Sequence, residues 1–197
     1  MKTVLLILIL LFSIAANAQR YLPGQRGLQF TMGFVGGPGK GNNHGVIAGI
    51  AWSVYTKKKS HWVVGLDYEK QKSNFEKFTN RYNSELYLLN ANYHALLVKT
   101  YNHIFFASVN IGAEGGYHYV NGGNKQVSAP TDFDKMFSKT GAFAYGVNAG
   151  VETEIFLSDG VAFIVSAKRK LLFNTIDLPK MQTTVGAGIK LIRNKRW

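Results

Sequence analysis

The sequence predicts an eight-stranded antiparallel up-and-down β-barrel of the outer-membrane type, preceded by a cleaved signal peptide. Three observations carry that expectation: an export leader, period-two alternation in eight segments, and connections that run alternately long and short. The composition agrees with it. At 197 residues, 46% hydrophobic and 13% aromatic, the chain is too apolar for disorder and about the size of one domain. It has no cysteine, which excludes disulfide scaffolds, thiolate metal sites, Cys nucleophiles and lipid attachment at an N-terminal Cys.

The leader comes first in the chain. Met1 and Lys2 give a positive start, Val4 to Ile14 form an almost unbroken apolar run, and Ala16-Asn17-Ala18 supplies a small-x-small cleavage pattern. That run is short for a membrane-spanning helix and no stop-transfer pattern follows, so cleavage after Ala18 is expected. The expected organisation is a signal peptide over 1–18, a periplasmic N-terminal segment over 19–26, the barrel over 27–192 and a basic tail over 193–197.

In the first segment, Leu28, Phe30, Met32 and Phe34 oppose Gln29, Thr31 and Gly33; in the second, Val46, Ala48, Ile50, Trp52 and Val54 oppose Gly49, Ala51 and Ser53. The third sets Trp62, Val64, Leu66 and Tyr68 against Gly65, Asp67 and Glu69, and the fourth Tyr87, Leu89, Ala91 and Tyr93 against Asn90, Asn92 and His94. The fifth sets Phe105, Ala107, Val109, Ile111 and Ala113 against Ser108, Asn110, Gly112 and Glu114. In the sixth, Tyr145, Val147, Ala149, Val151 and Ile155 oppose Gly146, Asn148, Gly150, Glu152 and Glu154. The seventh opposes Val161, Phe163, Val165 and Ala167 to Ser166, Lys168 and Lys170, and the eighth Val185, Ala187, Ile189 and Leu191 to Thr184, Gly186, Gly188 and Lys190.

The polar face decides which way round the barrel is built. A soluble barrel turns its apolar face inward and covers the outside with long hydrated side chains. Here the polar face is mostly Gly, Ala, Ser, Thr and Asn, which suits a crowded narrow lumen, and the Phe, Val, Leu and Ile face suits lipid. The connections Gly36 to Gly45, Lys57 to Ser60, Lys70 to Ser84, Lys99 to Asn102, His118 to Gly141, Leu157 to Gly160 and Leu171 to Lys180 sort long from short, as in a barrel with both termini in the periplasm. Trp62, Tyr68, Tyr87, Tyr93, Phe105, Tyr117, Tyr145 and Phe156 lie near strand ends and fit two interfacial girdles. A strand of about ten residues at roughly 3.3 Å each, tilted about 45°, rises roughly 23 Å, close to the apolar band of outer membranes.

Strand direction places the inward charges. Asp67, Glu69, Glu114, Lys168 and Lys170 fall in the outer half and Glu152, Glu154 and Lys190 in the inner half, predicting two ion-pair clusters in a plugged lumen rather than a water-filled channel. A net charge of +12 favours anionic partners; export makes nucleic acid an unexpected one and leaves outer-membrane lipid and lipopolysaccharide. Lys57-Lys58-Lys59 and the tail Arg193-Asn194-Lys195-Arg196-Trp197 fall on the periplasmic side, where head groups or a periplasmic partner would meet them.

Other motifs weigh less. The Gly36-Gly37-Pro38-Gly39-Lys40-Gly41 stretch is not a phosphate loop, because Phe34 occupies the first glycine position and Gly41 replaces the Ser or Thr. His94, His103 and His118 show no His-x-x-x-His or His-Glu-x-x-His spacing, so no metal site and no cofactor are expected. A lipid-modifying enzyme would need His and Ser facing lipid, whereas His94 and Ser108 point inward by parity. Phe133 and Phe137, in the loop from His118 to Gly141, form an aromatic pair that either meets a partner or folds over the barrel mouth.

The opening Gln19-Arg20-Tyr21-Leu22-Pro23-Gly24-Gln25-Arg26-Gly27-Leu28 resembles that of the conjugative transposon protein TraO family. Further similarity lies in Trp52-Ser53-Val54-Tyr55-Thr56-Lys57, Trp62-Val63-Val64-Gly65, Glu152-Thr153-Glu154-Ile155-Phe156-Leu157-Ser158-Asp159, Ala167-Lys168-Arg169-Lys170-Leu171-Leu172 and Val185-Gly186-Ala187-Gly188-Ile189-Lys190. The resemblance implies an outer-membrane accessory of a conjugation apparatus, with other transfer proteins as partners and no catalytic residues. The expected function is therefore a non-enzymatic scaffold or surface contact of that apparatus, with Arg20, Tyr21, Leu22, Pro23, Gly24 and Arg26 as the candidate docking segment. Two other readings stand beside it: a soluble periplasmic lipocalin-like binder with the apolar face inward, and an outer-membrane lipid-modifying enzyme.

Overall fold

The computed structural model describes residues 24–36, 44–56, 60–74, 81–99, 104–120, 141–175, 178 and 180–193. These build eight strands: β1 (Arg26–Gly36), β2 (His44–Tyr55), β3 (His61–Asn74), β4 (Arg81–Lys99), β5 (Phe105–Val120), β6 (Gly141–Ser158), β7 (Val161–Phe173) and β8 (Met181–Arg193). Each pairs antiparallel with its sequence neighbour, and β8 returns to pair with β1, closing the barrel in the predicted up-and-down order. Closure satisfies the backbone polar groups that an open sheet would leave bare in hydrocarbon.

The apolar face points out. Phe30 is 46% exposed, Trp52 45%, Leu66 58%, Val109 37% and Val185 52%, each on the face away from the lumen. This overturns the lipocalin-like alternative, whose core those side chains would form. The face pointing in is polar and buried, with Asn90, Asn92, His94, Glu69, Glu152, Lys170 and Lys190 among it. A lumen so filled needs small residues to make room. Gly33 of β1 stands opposite Gly186 of β8, and a methyl group added to it would lie 2.6 Å from the Gly186 Cα.

Aromatic rings collect toward the two ends of the outer surface. Near the end that holds the chain termini, Trp62 packs on Tyr93 at 5.1 Å between ring centroids. Toward the opposite, long-loop end lie Tyr68 with Tyr87 at 5.0 Å, Tyr117 with Tyr119 at 4.7 Å and Tyr145 with Phe173 at 5.7 Å. Phe156, expected in a girdle, is instead 1% exposed and packs edge-on against Phe106 at 5.3 Å, inside the barrel with Ala162 and Ile192. Strand parity is the reason. Phe156 shares the inward set with Glu152 and Glu154, so closeness to a strand end did not turn it toward lipid.

Strands also run further toward the long-loop end than the alternation suggests. The expected connection from Lys70 to Ser84 is largely strand, with Gln71 paired to Ser84 and Lys72 to Asn83, and β5 continues past His118 to Val120. There the outward residues turn polar as well, so the pattern fades while the backbone ladder continues.

Candidate functional site

The chemistry of this molecule is concentrated in the lumen, where two clusters of charge are stacked with a cavity between them. In the cluster nearer the long-loop end, the Lys170 ammonium of β7 pairs across the lumen with the Glu69 carboxylate of β3. Glu114 Oε2 of β5 lies 3.8 Å from the same ammonium. Amides complete the set. Asn148 Nδ2 donates to Glu114 Oε2 at 3.4 Å, Gln71 Nε2 to Gln182 Oε1 at 3.1 Å, and Asn90 Nδ2 to Asp67 Oδ2 at 2.8 Å. Buried charges persist only when paired and hydrogen-bonded in this manner.

Above this cluster the lumen is closed by Leu86, Leu88, Ala144 and Leu172, with Ser84 hydrogen-bonded to His118 beside them. The Phe106, Phe156, Ala162 and Ile192 group closes the opposite end. The intervening cavity is about 40 Å³, lined by Gln29, Asp67, Asn92, Asn148, Glu152 and Lys168 among others. That is room for a few water molecules and far too little for a nucleic acid.

The cluster nearer the termini is built differently. Lys190 of β8 pairs with Glu154 of β6, and its Nζ lies 3.8 Å from Glu152 Oε1 and donates to Tyr55 Oη at 3.1 Å. The Tyr55 hydroxyl in turn donates to Glu154 Oε2 at 3.2 Å. Two imidazoles join these groups. His61 and His94 face each other across β3 and β4, with their rings stacked at 4.5 Å. His94 Nδ1 is 3.5 Å and His61 Nε2 3.8 Å from Glu152 Oε1, and His61 Nε2 is 3.5 Å from Glu154 Oε1.

Of the charges that the sequence assigns to the lumen, Glu69, Glu114 and Lys170 meet in one cluster and Glu152, Glu154 and Lys190 in the other. Asp67 is held by Asn90, and Lys168 lines the cavity; neither has an ion-pair partner among the described residues. Ser108 and His94 are both buried in the lumen, with Ser108 Oγ 3.5 Å from His94 Nδ1 and donating to the Glu152 carbonyl at 3.3 Å. Neither side chain meets the lipid face, where a lipid-modifying enzyme would need them. Sequence reasoning missed His61 and Tyr55. The signal that would have found them is register: the β3–β4 ladder sets His61 opposite His94, and Tyr55, which continues the inward parity of Ser53, stands opposite His61 in the β2–β3 ladder.

At the termini end, the Gly24 amide donates to the Tyr55 carbonyl at 2.9 Å and the Tyr55 amide to the Gln25 carbonyl at 3.0 Å. Gly24 has φ of +80°, a conformation that favours glycine. Arg26 points outward and stands directly opposite Arg193, also exposed. Of the candidate docking segment, Gly24 and Arg26 are therefore described, while Arg20, Tyr21, Leu22 and Pro23 lie outside the described residues, as do Phe133, Phe137, the leader, Lys57 to Lys59 and the tail beyond Arg193.

Comparison with known proteins agrees with this architecture. Over residues 22–192 the sequence matches the conjugative transposon protein TraO family. No curated protein matches it in sequence. Among solved structures, Neisserial surface protein A (NspA) is 10% identical with a TM-score of 0.59, covering 84% of this chain and 96% of that one. The attachment invasion locus protein Ail of Yersinia pestis, 11% identical with a TM-score of 0.45, covers 87% of this chain and 100% of that one. The N-terminal β-barrel domain of Pseudomonas aeruginosa OprF is 10% identical with a TM-score of 0.46, covering 86% and 99%. The likeness to NspA shows the fold, an eight-stranded barrel of the outer-membrane type. The chain belongs to the conjugative transposon protein TraO family.

Proposed function

We propose that this TraO-family chain is a non-enzymatic outer-membrane barrel that serves a conjugative DNA-transfer apparatus as an anchor, scaffold or surface contact, not as the conduit for DNA. The observation that carries the reading is the pairing of a family match over residues 22–192 with a lumen plugged by two ion-pair clusters, Lys170 with Glu69 and Glu114 and Lys190 with Glu152 and Glu154, with a cavity of only about 40 Å³ between them. A filled lumen leaves the outer surface and the two rims to do the work.

The start of β1 and the end of β8 sit on one rim, which in this reading is the periplasmic one. The segment from Gln19 to Arg26, freed when the leader is removed after Ala18, meets other transfer proteins there. Arg26 and Arg193 supply the contact with the membrane. Two guanidinium groups directly opposite one another repel unless an anion lies between them, and at the periplasmic edge of the apolar band the available anion is a phospholipid phosphate. The long loops at the other rim, with Phe133 and Phe137, face the cell exterior.

Deletion of residues 19–23, which spares the Gly24 and Gln25 hydrogen bonds to Tyr55 and Arg26 of β1, tests the docking role. The shortened barrel is expected to insert normally, judged by heat-modifiable migration, while transfer frequency falls. Loss of a contact worth about 1.4 kcal/mol lowers occupancy about tenfold. Normal insertion with unchanged transfer would refute docking through this segment.

A further inference from the structure

We infer that His61, His94 and Glu152 form a binding site for one first-row divalent metal ion of the zinc type inside the barrel. One ring nitrogen from each histidine and one carboxylate oxygen of Glu152 fall within 4.8 Å of one another, and all three residues are buried. They come from three strands, β3, β4 and β6, and hydrogen-bonded register holds their backbones in place.

The spacing argues for a metal rather than for direct hydrogen bonds. A good N–H to oxygen bond brings the heavy atoms to about 2.9 Å. Glu152 Oε1 instead has His94 Nδ1 at 3.5 Å, His61 Nε2 at 3.8 Å and Lys190 Nζ at 3.8 Å. Ligands bound at about 2.1 Å around a tetrahedral ion stand about 3.4 Å apart, so the two imidazoles and the carboxylate need only small shifts to share one. Glu152 Oε1, the carboxylate atom that faces both imidazoles, also has no hydrogen-bond partner among the described residues, an expensive state for a polar atom in the lumen.

Charge and donor type choose the ion. Two carboxylates, Glu152 and Glu154, are in contact with one ammonium, Lys190, which is itself engaged by Glu154 and the Tyr55 hydroxyl. Contact with two carboxylates and one ammonium favours a cation among the imidazoles, with Lys168 set back along the adjoining cavity. Two imidazole nitrogens with one carboxylate select zinc, copper or nickel over calcium or magnesium, which prefer all-oxygen sites. Glu154 Oε1, 3.5 Å from His61 Nε2, or a water from the adjoining cavity completes four-coordination. The site depends on no particular role in DNA transfer.

The test uses the full mature barrel, purified in detergent without a histidine tag and dialysed against buffered zinc. About one zinc per chain is expected, and cobalt substitution should give visible ligand-field bands. Glu152→Gln and His61→Gln should each weaken binding at least about tenfold while migrating as folded barrels, whereas His44→Gln, at an exposed position on β2, should leave it unchanged. If a lumen variant does not fold, the wild-type protein still decides. Its zinc stoichiometry and the cobalt bands expected of mixed nitrogen and oxygen ligation are read on the unmodified barrel. A folded wild-type barrel that takes up no zinc, cobalt that binds without such bands, or binding that survives both lumen substitutions would overturn the site.

Discussion

The two charge clusters of the lumen are alike in their ions and unlike in their neutral company. Each seats one lysine between two glutamates, Lys170 with Glu69 and Glu114, Lys190 with Glu152 and Glu154. Around the first stand amides: Asn148, Asn90, Gln71 and Gln182. Around the second stand two imidazoles and a phenol. An amide can only donate and accept hydrogen bonds, so the first cluster is a fixed plug. An imidazole can also bind a metal, so the second can exchange one occupant for another without the barrel unfolding. Two ion-pair plugs of the same outline therefore differ in whether the cell's chemistry can reach them.

The largest effects test the shared part. Lys170→Met and Lys190→Met each strand two buried carboxylates and should cost about 3–5 kcal/mol in the free energy of folding into lipid vesicles. The comparison predicts a difference in rescue: zinc should restore part of the loss in Lys190→Met and none in Lys170→Met. Equal rescue, or none in either, would erase the distinction between the clusters.

Apolar closure comes next. Phe156→Ala opens the floor beneath the imidazole cluster and should cost about 3–4 kcal/mol, and Leu88→Ala opens the roof over the amide cluster at about 2–4 kcal/mol, both read from urea midpoints. Only the first should also speed the exchange of bound zinc with a chelator. A smaller effect, about 1–3 kcal/mol, is expected of Asn90→Ala, which removes the amide holding Asp67. It should leave zinc uptake unchanged, because Asp67 belongs to the amide-lined side of the cavity. The smallest cost, about 1 kcal/mol, is expected of His61→Gln in metal-free buffer, where the amide keeps a hydrogen-bonding group in the place of the imidazole. A loss as large as that of the lysine variants would make His61 a structural plug like the amides.

The barrel itself was legible because one physical demand, lipid outside and a crowded lumen inside, acts on every residue of every strand. Phe30, Trp52, Leu66, Val109 and Val185 answer it one side chain at a time, and parity then placed Glu69, Glu114, Lys170, Glu152, Glu154 and Lys190 in the lumen. What stayed hidden depends on register and not on parity. His61 and His94 are 33 positions apart and meet only because the β3–β4 ladder aligns them. The long-loop ends of β3 and β4 escaped for another reason: outside the apolar band there is no lipid to enforce alternation. Phe156 shows that parity outranks proximity to a rim.

The pairing of β1 with β8 has a consequence for how the chain is made. Arg26 meets Arg193, and Gly36 meets Thr183, so the first strand synthesised waits for the last before either has its second neighbour. Until then two raw edges remain open, and any chain cut short before Met181 keeps them. The thirteen-residue eighth strand must therefore be made before the cylinder can shut, so closure reports that every strand before it has been synthesised.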